Sequence, residues 1–137
     1  MFMKRHLKIL LFLTAAVLFT SSCEKDPGVG GNSTITGKIY VREYNKDFTE
    51  LEAEYYAADE DIFIIYGSGT VPDDDLKTGP GGDFAFQYLR PGKYILYAYS
   101  ADSAGTSASG TIPVYREVEI TEKKQTVDAG TIIILKN

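Results

Sequence analysis

Residues 83–100 read Asp-Phe-Ala-Phe-Gln-Tyr-Leu-Arg-Pro-Gly-Lys-Tyr-Ile-Leu-Tyr-Ala-Tyr-Ser, and this stretch decides the fold class. Phe84, Phe86 and Tyr88 recur at every second position, as do Tyr94, Leu96 and Ala98, with Ile95, Tyr97 and Tyr99 on the alternate face. A period of two is the signature of a strand with one face turned to a core. Between the two runs stands Arg90-Pro91-Gly92, in which Pro91 fixes φ and Gly92 admits a positive φ, the chemistry of a tight turn. The segment therefore predicts two antiparallel strands joined by a short connection.

The same alternation extends outward from this hairpin. Ile35, Gly37, Ile39 and Val41 share one face of a predicted strand over Thr34–Tyr44, with Thr36, Lys38, Tyr40 and Arg42 on the other. Ile62-Phe63-Ile64-Ile65 is a short apolar run closed by Gly67 and Gly69 and reads as a central strand. Val114–Ile120, Thr126–Asp128 and Thr131–Leu135 supply further strands, and Pro80-Gly81-Gly82-Asp83 supplies a turn. Residues 47–57 read two ways. Asp47 with Glu50 three residues on offers a helix start, whereas Glu50, Glu52 and Glu54 alternating with Leu51, Ala53 and Tyr55 suits an edge strand, the reading favoured here. Seven short strands without a long helix predict an all-β, seven-stranded antiparallel sandwich over residues 33–137.

The N-terminal region obeys different rules. Residues 1–22 carry Lys4, Arg5 and Lys8, no acid, and an apolar stretch from Ile9 to Phe19 that ends in Thr20-Ser21-Ser22-Cys23. Those eleven residues would rise only ~16 Å as a helix, about half of a ~30 Å hydrocarbon core, so the stretch reads as a cleaved export signal. Residues 23–32 contain Glu24, Lys25, Asp26, Pro27 and three glycines and predict a flexible tether.

Composition excludes whole classes of chemistry. His6 is the sole histidine and Cys23 the sole cysteine of the 137 residues. Beyond residue 22 there is no histidine, methionine or tryptophan. No Ser-His-Asp or Cys-His nucleophile, histidine-rich zinc site or internal disulfide can be assembled from such a chain. Three of the 14 basic residues belong to the signal, leaving 11 against 19 acids, a formal charge of −8. With Arg42, Arg90 and Arg116 scattered, nucleic acid is not an expected partner. No cofactor is expected either.

Two resemblances follow from these residues. The small-residue stretch ending on Cys23 resembles the lipobox of bacterial lipoproteins, with Thr20 standing where the box usually carries leucine. That resemblance implies that Cys23 is acylated and anchors the chain in a membrane. The Cys-Glu-Lys-Asp start is similar to that of Bacteroides-group lipoproteins, implying the outer membrane and a surface-exposed domain. Phe84-Ala85-Phe86 followed by Leu89-Arg90-Pro91-Gly92-Lys93-Tyr94-Ile95-Leu96 resembles the signature of carboxypeptidase regulatory-like domains, the prealbumin-like sandwich. Phe84, Phe86, Pro91, Gly92 and Tyr94 are then structural, and the family implies a non-catalytic module that binds or presents a protein or glycan.

Two groups of side chains remain as site candidates. Tyr97 and Tyr99, alternating with the inward Tyr94, Leu96 and Ala98, predict an outward aromatic pair suited to a protein or sugar ligand, or to covering a sheet. Asp73, Asp74 and Asp75, with Asp59, Glu60, Asp61 and Asp83, read as solvated loop charge; Ca²⁺ ligation and a carboxylate-based hydrolase are the sharper alternatives. The expected function is a non-catalytic, lipid-anchored envelope binding module, with a carbohydrate-binding surface module as the first alternative.

Overall fold

The computed structural model describes residues 25–137, so the predicted signal segment and Cys23 lie outside the described residues. The rest is all-β. Eight strands follow in order: β1 (Val29–Tyr44), β2 (Leu51–Tyr56), β3 (Asp61–Tyr66), β4 (Asp74–Lys77), β5 (Asp83–Leu89), β6 (Gly92–Ala101), β7 (Thr111–Ile120) and β8 (Thr126–Lys136). They form two four-stranded sheets, one built on β1 and the other in the order β4-β3-β6-β7. Ile35, Ile39, Phe84, Phe86, Ile132 and Ile134 of the first sheet and Ile62, Ile64, Tyr94, Leu96 and Ile120 of the second interleave in one core.

Strand β1 organises the first sheet. One of its edges pairs with β8 in parallel from Thr34↔Thr126 to Glu43↔Lys136, which makes this the one parallel pair in a sandwich expected to be antiparallel throughout. Its other edge is shared by β5, over Val29–Lys38 with irregular register before Ile35, and β2, over Tyr40–Tyr44. The changeover falls at Ile39, whose N–H donates to Gly82 O (2.9 Å) and whose carbonyl accepts from Ala57 N–H (3.0 Å). Gly37 lies on the core face because Phe84 needs its space: a Cβ there would stand 2.4 Å from the Phe84 ring.

The expected seven strands become eight for three local reasons. The two predicted closing strands are one, β8, because a bulge sets Thr36 against Asp128 and Lys38 against Thr131. Gly130 takes up the turn with φ +74° while Asp128 Oδ1 accepts its N–H at 2.8 Å. Residues 51–56 are extended, as favoured, after a turn in which Asn45 Oδ1 accepts the N–H of both Thr49 and Glu50. Asp74–Lys77, read as loop, forms a short edge strand on β3.

Two further expectations are corrected. Tyr88 does not share the core face of Phe84 and Phe86. It adopts φ +59° and is 69% exposed, and this break in the alternation turns Leu89 inward instead. The predicted tether reaches residue 32, whereas β1 begins at Val29 and Pro27 and Gly28 just before it are tied down. Tyr94, fully buried, accepts a hydrogen bond from Gly28 N–H (2.9 Å) and donates one to Arg90 O (2.7 Å), and Arg90 N–H in turn donates to Gly28 O (2.9 Å). Pro27 fits against Gly92, where a Cβ would lie 2.4 Å from its Cγ and where φ is +145°.

Tyr94 thus has separable apolar and polar roles. Tyr94→Phe keeps the ring but leaves Gly28 N–H without its partner, with an expected cost of about 1–3 kcal/mol. Tyr94→Ala also empties the core, with an expected cost of about 3–5 kcal/mol. Urea unfolding of the two variants checks both the order and the gap.

Candidate binding site

The strand period that sends Tyr94, Leu96, Ala98 and Ser100 of β6 into the core sends Lys93, Ile95, Tyr97 and Tyr99 to the opposite side of the second sheet. Register completes that outer face. Tyr97 lies opposite Phe63 of β3 and Tyr115 of β7, Tyr99 opposite Pro113, Ile95 opposite Ile65 and Glu117, and Lys93 opposite Glu119. Asp75 of β4 stands opposite Phe63, so one row across the sheet reads Asp75, Phe63, Tyr97, Tyr115.

Four rings on this face touch one another. Phe63 and Tyr97 stack with centroids 5.0 Å apart and planes 16° from parallel. Tyr99 meets both edge-on, at 5.8 Å from Phe63 and 5.6 Å from Tyr97, and Tyr115 tilts against Tyr97 at 5.5 Å. The two predicted contact tyrosines therefore share the outer face, as read, but differ in exposure. Tyr97 is the hub and only 7% exposed, while Tyr99 is 48% exposed and Tyr115 61%. Burial raises the Tyr97 phenol above its ordinary pKa, with the neighbouring phenols of Tyr99 and Tyr115 adding to the shift. The more solvent-exposed pair is Tyr99 and Tyr115, both packed against Tyr97, with Phe63 on the β3 side of Tyr97 and Tyr99.

Phe63 is the residue that sequence reasoning missed. It was legible from the alternation of Ile62 and Ile64, both fully buried, which obliges Phe63 to face outward. Beyond the aromatic row the face continues past Ile95 into an open depression of about 480 Å³ between Gly67-Ser68 and the Lys93, Ile95, Glu117 and Glu119 side of β6 and β7.

The acidic candidates do not converge. Asp73 Oδ2 accepts Tyr66 N–H at 2.7 Å, and Asp74 Oδ1 accepts the N–H of Asp75. Asp74 and Asp75 then alternate along an edge strand, which points successive side chains to opposite faces and prevents a shared oxygen cage. Asp61 pairs with Lys77 at 2.9 Å, Asp59 lies 3.9 Å from the same ammonium, and Glu60 pairs with Lys136. Among the described residues no three metal-ligating side chains come together.

The Ala101–Gly110 loop, a second place where a sandwich could bind, is ordered by a single carboxylate. Asp102 accepts hydrogen bonds from Ser107 N–H (2.6 Å), Thr106 Oγ1 (2.9 Å) and Ala104 N–H (3.0 Å). The bond from Ser107 first, then those of Thr106 and Ala104, hold its carboxyl below the usual carboxylate range. The resulting stabilisation is present above the unfolded carboxyl's pKa and lost as pH falls through the lowered folded value. Amide exchange across residues 104–107 is expected to accelerate, relative to the strands, only below about pH 4. Asp102→Asn should show fast exchange there at neutral pH.

No family model matches the chain, and no curated protein matches it. Among solved structures it is similar to a Pseudomonas aeruginosa protein described as "a putative carbohydrate binding protein", with 13% sequence identity, 80% of this chain and 91% of that chain covered, and a TM-score of 0.49. A likeness of that degree says nothing about what either face of this sandwich binds.

Proposed function

We propose that this chain is a non-catalytic binding module of a bacterial envelope, held in the outer membrane by a lipid on Cys23, whose contact surface is the outer face of the β4-β3-β6-β7 sheet. The observation that carries the reading is the ring cluster itself. Four aromatics gathered about Tyr97 form a contiguous patch on a solvent-facing sheet, and Tyr99 and Tyr115 remain 48% and 61% exposed. Tyrosine gives a large, amphipathic contact at small entropic cost, because only two torsions have to be fixed on binding. Tyr97, locked among its neighbours, holds both exposed rings in place before any ligand arrives.

Anchoring suits such a role. Burying acyl methylenes contributes ~0.8 kcal/mol each, so two or more long chains on Cys23 would retain the domain on its membrane against the pull of a captured ligand. The absence of histidine beyond residue 22, together with the engagement of Asp61 by Lys77, Glu60 by Lys136 and Asp73 by a backbone amide, supports a binding rather than a hydrolytic role. The carboxypeptidase regulatory-like signature fits the same reading, since its Phe84, Phe86 and Tyr94 are spent on the core.

Two experiments test the two halves of this proposal. A fatty-acid analogue is expected to label the wild-type protein and not Cys23→Ala; label persisting in the variant removes the anchor. Tyr99→Ser combined with Tyr115→Ser is expected to melt within a few degrees of wild type while capture of the partner from an envelope extract is lost. Tyr97→Ser should instead lower the melting temperature, since it removes the hub of the cluster. Capture that survives the double change moves the site off this face.

A further inference from the structure

Resting on the reading of this face as the contact surface, we propose that it takes an uncharged, hydroxyl-rich polysaccharide chain, with Tyr99 and Tyr115 as stacking rings and Asp75 and Glu117 as hydrogen-bond acceptors. Two kinds of group stand in alternation here. The electron-rich face of an exposed phenol attracts the weakly positive C–H side of a sugar ring. A carboxylate is an acceptor at both oxygens and matches the paired hydroxyl donors of the same ring. Asp75 closes one end of the aromatic row, and Glu117 lies two residues from Tyr115 on the same face of β7. Both are exposed, and neither has an ion-pair partner among the described residues.

The same placement argues against the other occupants. The core of a protein interface is depleted of aspartate and glutamate, whereas here they stand in rank with the rings. An acidic polymer would meet Asp61, Asp75, Glu117 and Glu119 with Lys77 already held by Asp61 at 2.9 Å, leaving Lys93 opposite Glu119 as the remaining cation of the face. The face is also too long for one sugar. From Tyr99 to Lys93 along β6 is six residues, roughly 20 Å at the ~3.3 Å rise of a strand, and the far end opens into the depression of about 480 Å³. That length suits a chain of several sugar rings lying along the strands from the tyrosines to the depression.

Affinity electrophoresis of the detergent-solubilised full chain through gels containing a soluble β-glucan, a galactomannan or polygalacturonate tests the assignment. Retardation by at least one neutral polymer, equal in low and high salt, and none by polygalacturonate, is the expected result. Tyr115→Ala and Tyr99→Ala should each weaken retention about tenfold, Asp75→Asn with Glu117→Gln should weaken it by less, and Tyr56→Ala on the outer face of the other sheet should leave it unchanged. Retention by polygalacturonate that vanishes in high salt overturns the proposal, as does retention by none of the three gels. In either case, a Tyr99/Tyr115 double variant that still loses an envelope partner keeps the contact face and removes the glycan. Neutral-polymer retention that survives both tyrosine changes but not Tyr56→Ala removes the contact face as well.

Discussion

The hydroxyl of Tyr94 is the constraint on which the rest of the sandwich depends. It is buried where water does not reach, so its donor and its acceptor capacity both have to be met inside the protein. They are met by backbone from two different places, Gly28 at the entry to β1 and Arg90 in the β5–β6 turn. One side chain of the second sheet thereby fixes where the first sheet starts and how the hairpin turns. The ring adds its own contact, edge-on to Tyr66 at 5.7 Å, and burial raises the phenol's pKa, so the group stays protonated and able to donate. Gly92 and Pro27 close the arrangement sterically, because any side chain at 92 would occupy the space of the proline ring.

Much of this was legible in the sequence, and the failures have identifiable causes. Alternation exposed the core faces of β1, β5 and β6 because half-buried strands leave a period of two in the residue types, whereas the continuous apolar run of β3 marked a strand without marking its faces. It misassigned Tyr88, since a single residue with positive φ shifts the period by one and nothing in the composition of Gln87-Tyr88-Leu89 marks the break. It divided β8 at Ala129-Gly130, where a glycine signals a break in pattern without saying whether the strand ends or bulges. The parallel pairing of β1 with β8 was invisible to local patterning, which carries no information about partners ninety residues away. The first residues of the described chain were misread for a related reason: Pro and Gly are tether residues by composition, but here they are held by a tyrosine hydroxyl and a glycine that lie far along the sequence.

The candidate face shows the same division between what pattern can and cannot reveal. Periodicity places Tyr97 and Tyr99 on the outer side of β6 without ambiguity. It cannot say that Tyr97 is walled in, because that follows from the registers of β3 and β7 on either side, which bring Phe63 and Tyr115 up against it. Burial on a solvent-facing sheet is therefore a property of the neighbourhood, and the two outward tyrosines of one strand divide into a buried ring and a half-exposed one. The outer face of the sheet built on β1 shows a milder version, where Tyr40 meets Tyr56 edge-on at 5.1 Å and Lys38 lies 4.8 Å over the Tyr56 ring.

The pairing of β1 with β8 also has a consequence in time. The strand on which a whole sheet is built comes first among the described strands, and the partner along one of its edges is the eleven-residue β8. Until those residues are present, one edge of β1 has no partner and the core lacks Ile132 and Ile134. Contacts of this sequence separation also make folding slow, because the loop entropy has to be overcome before the pairing rewards it. A chain emerging N-terminus first therefore cannot complete its sandwich until β8 is present to pair with β1.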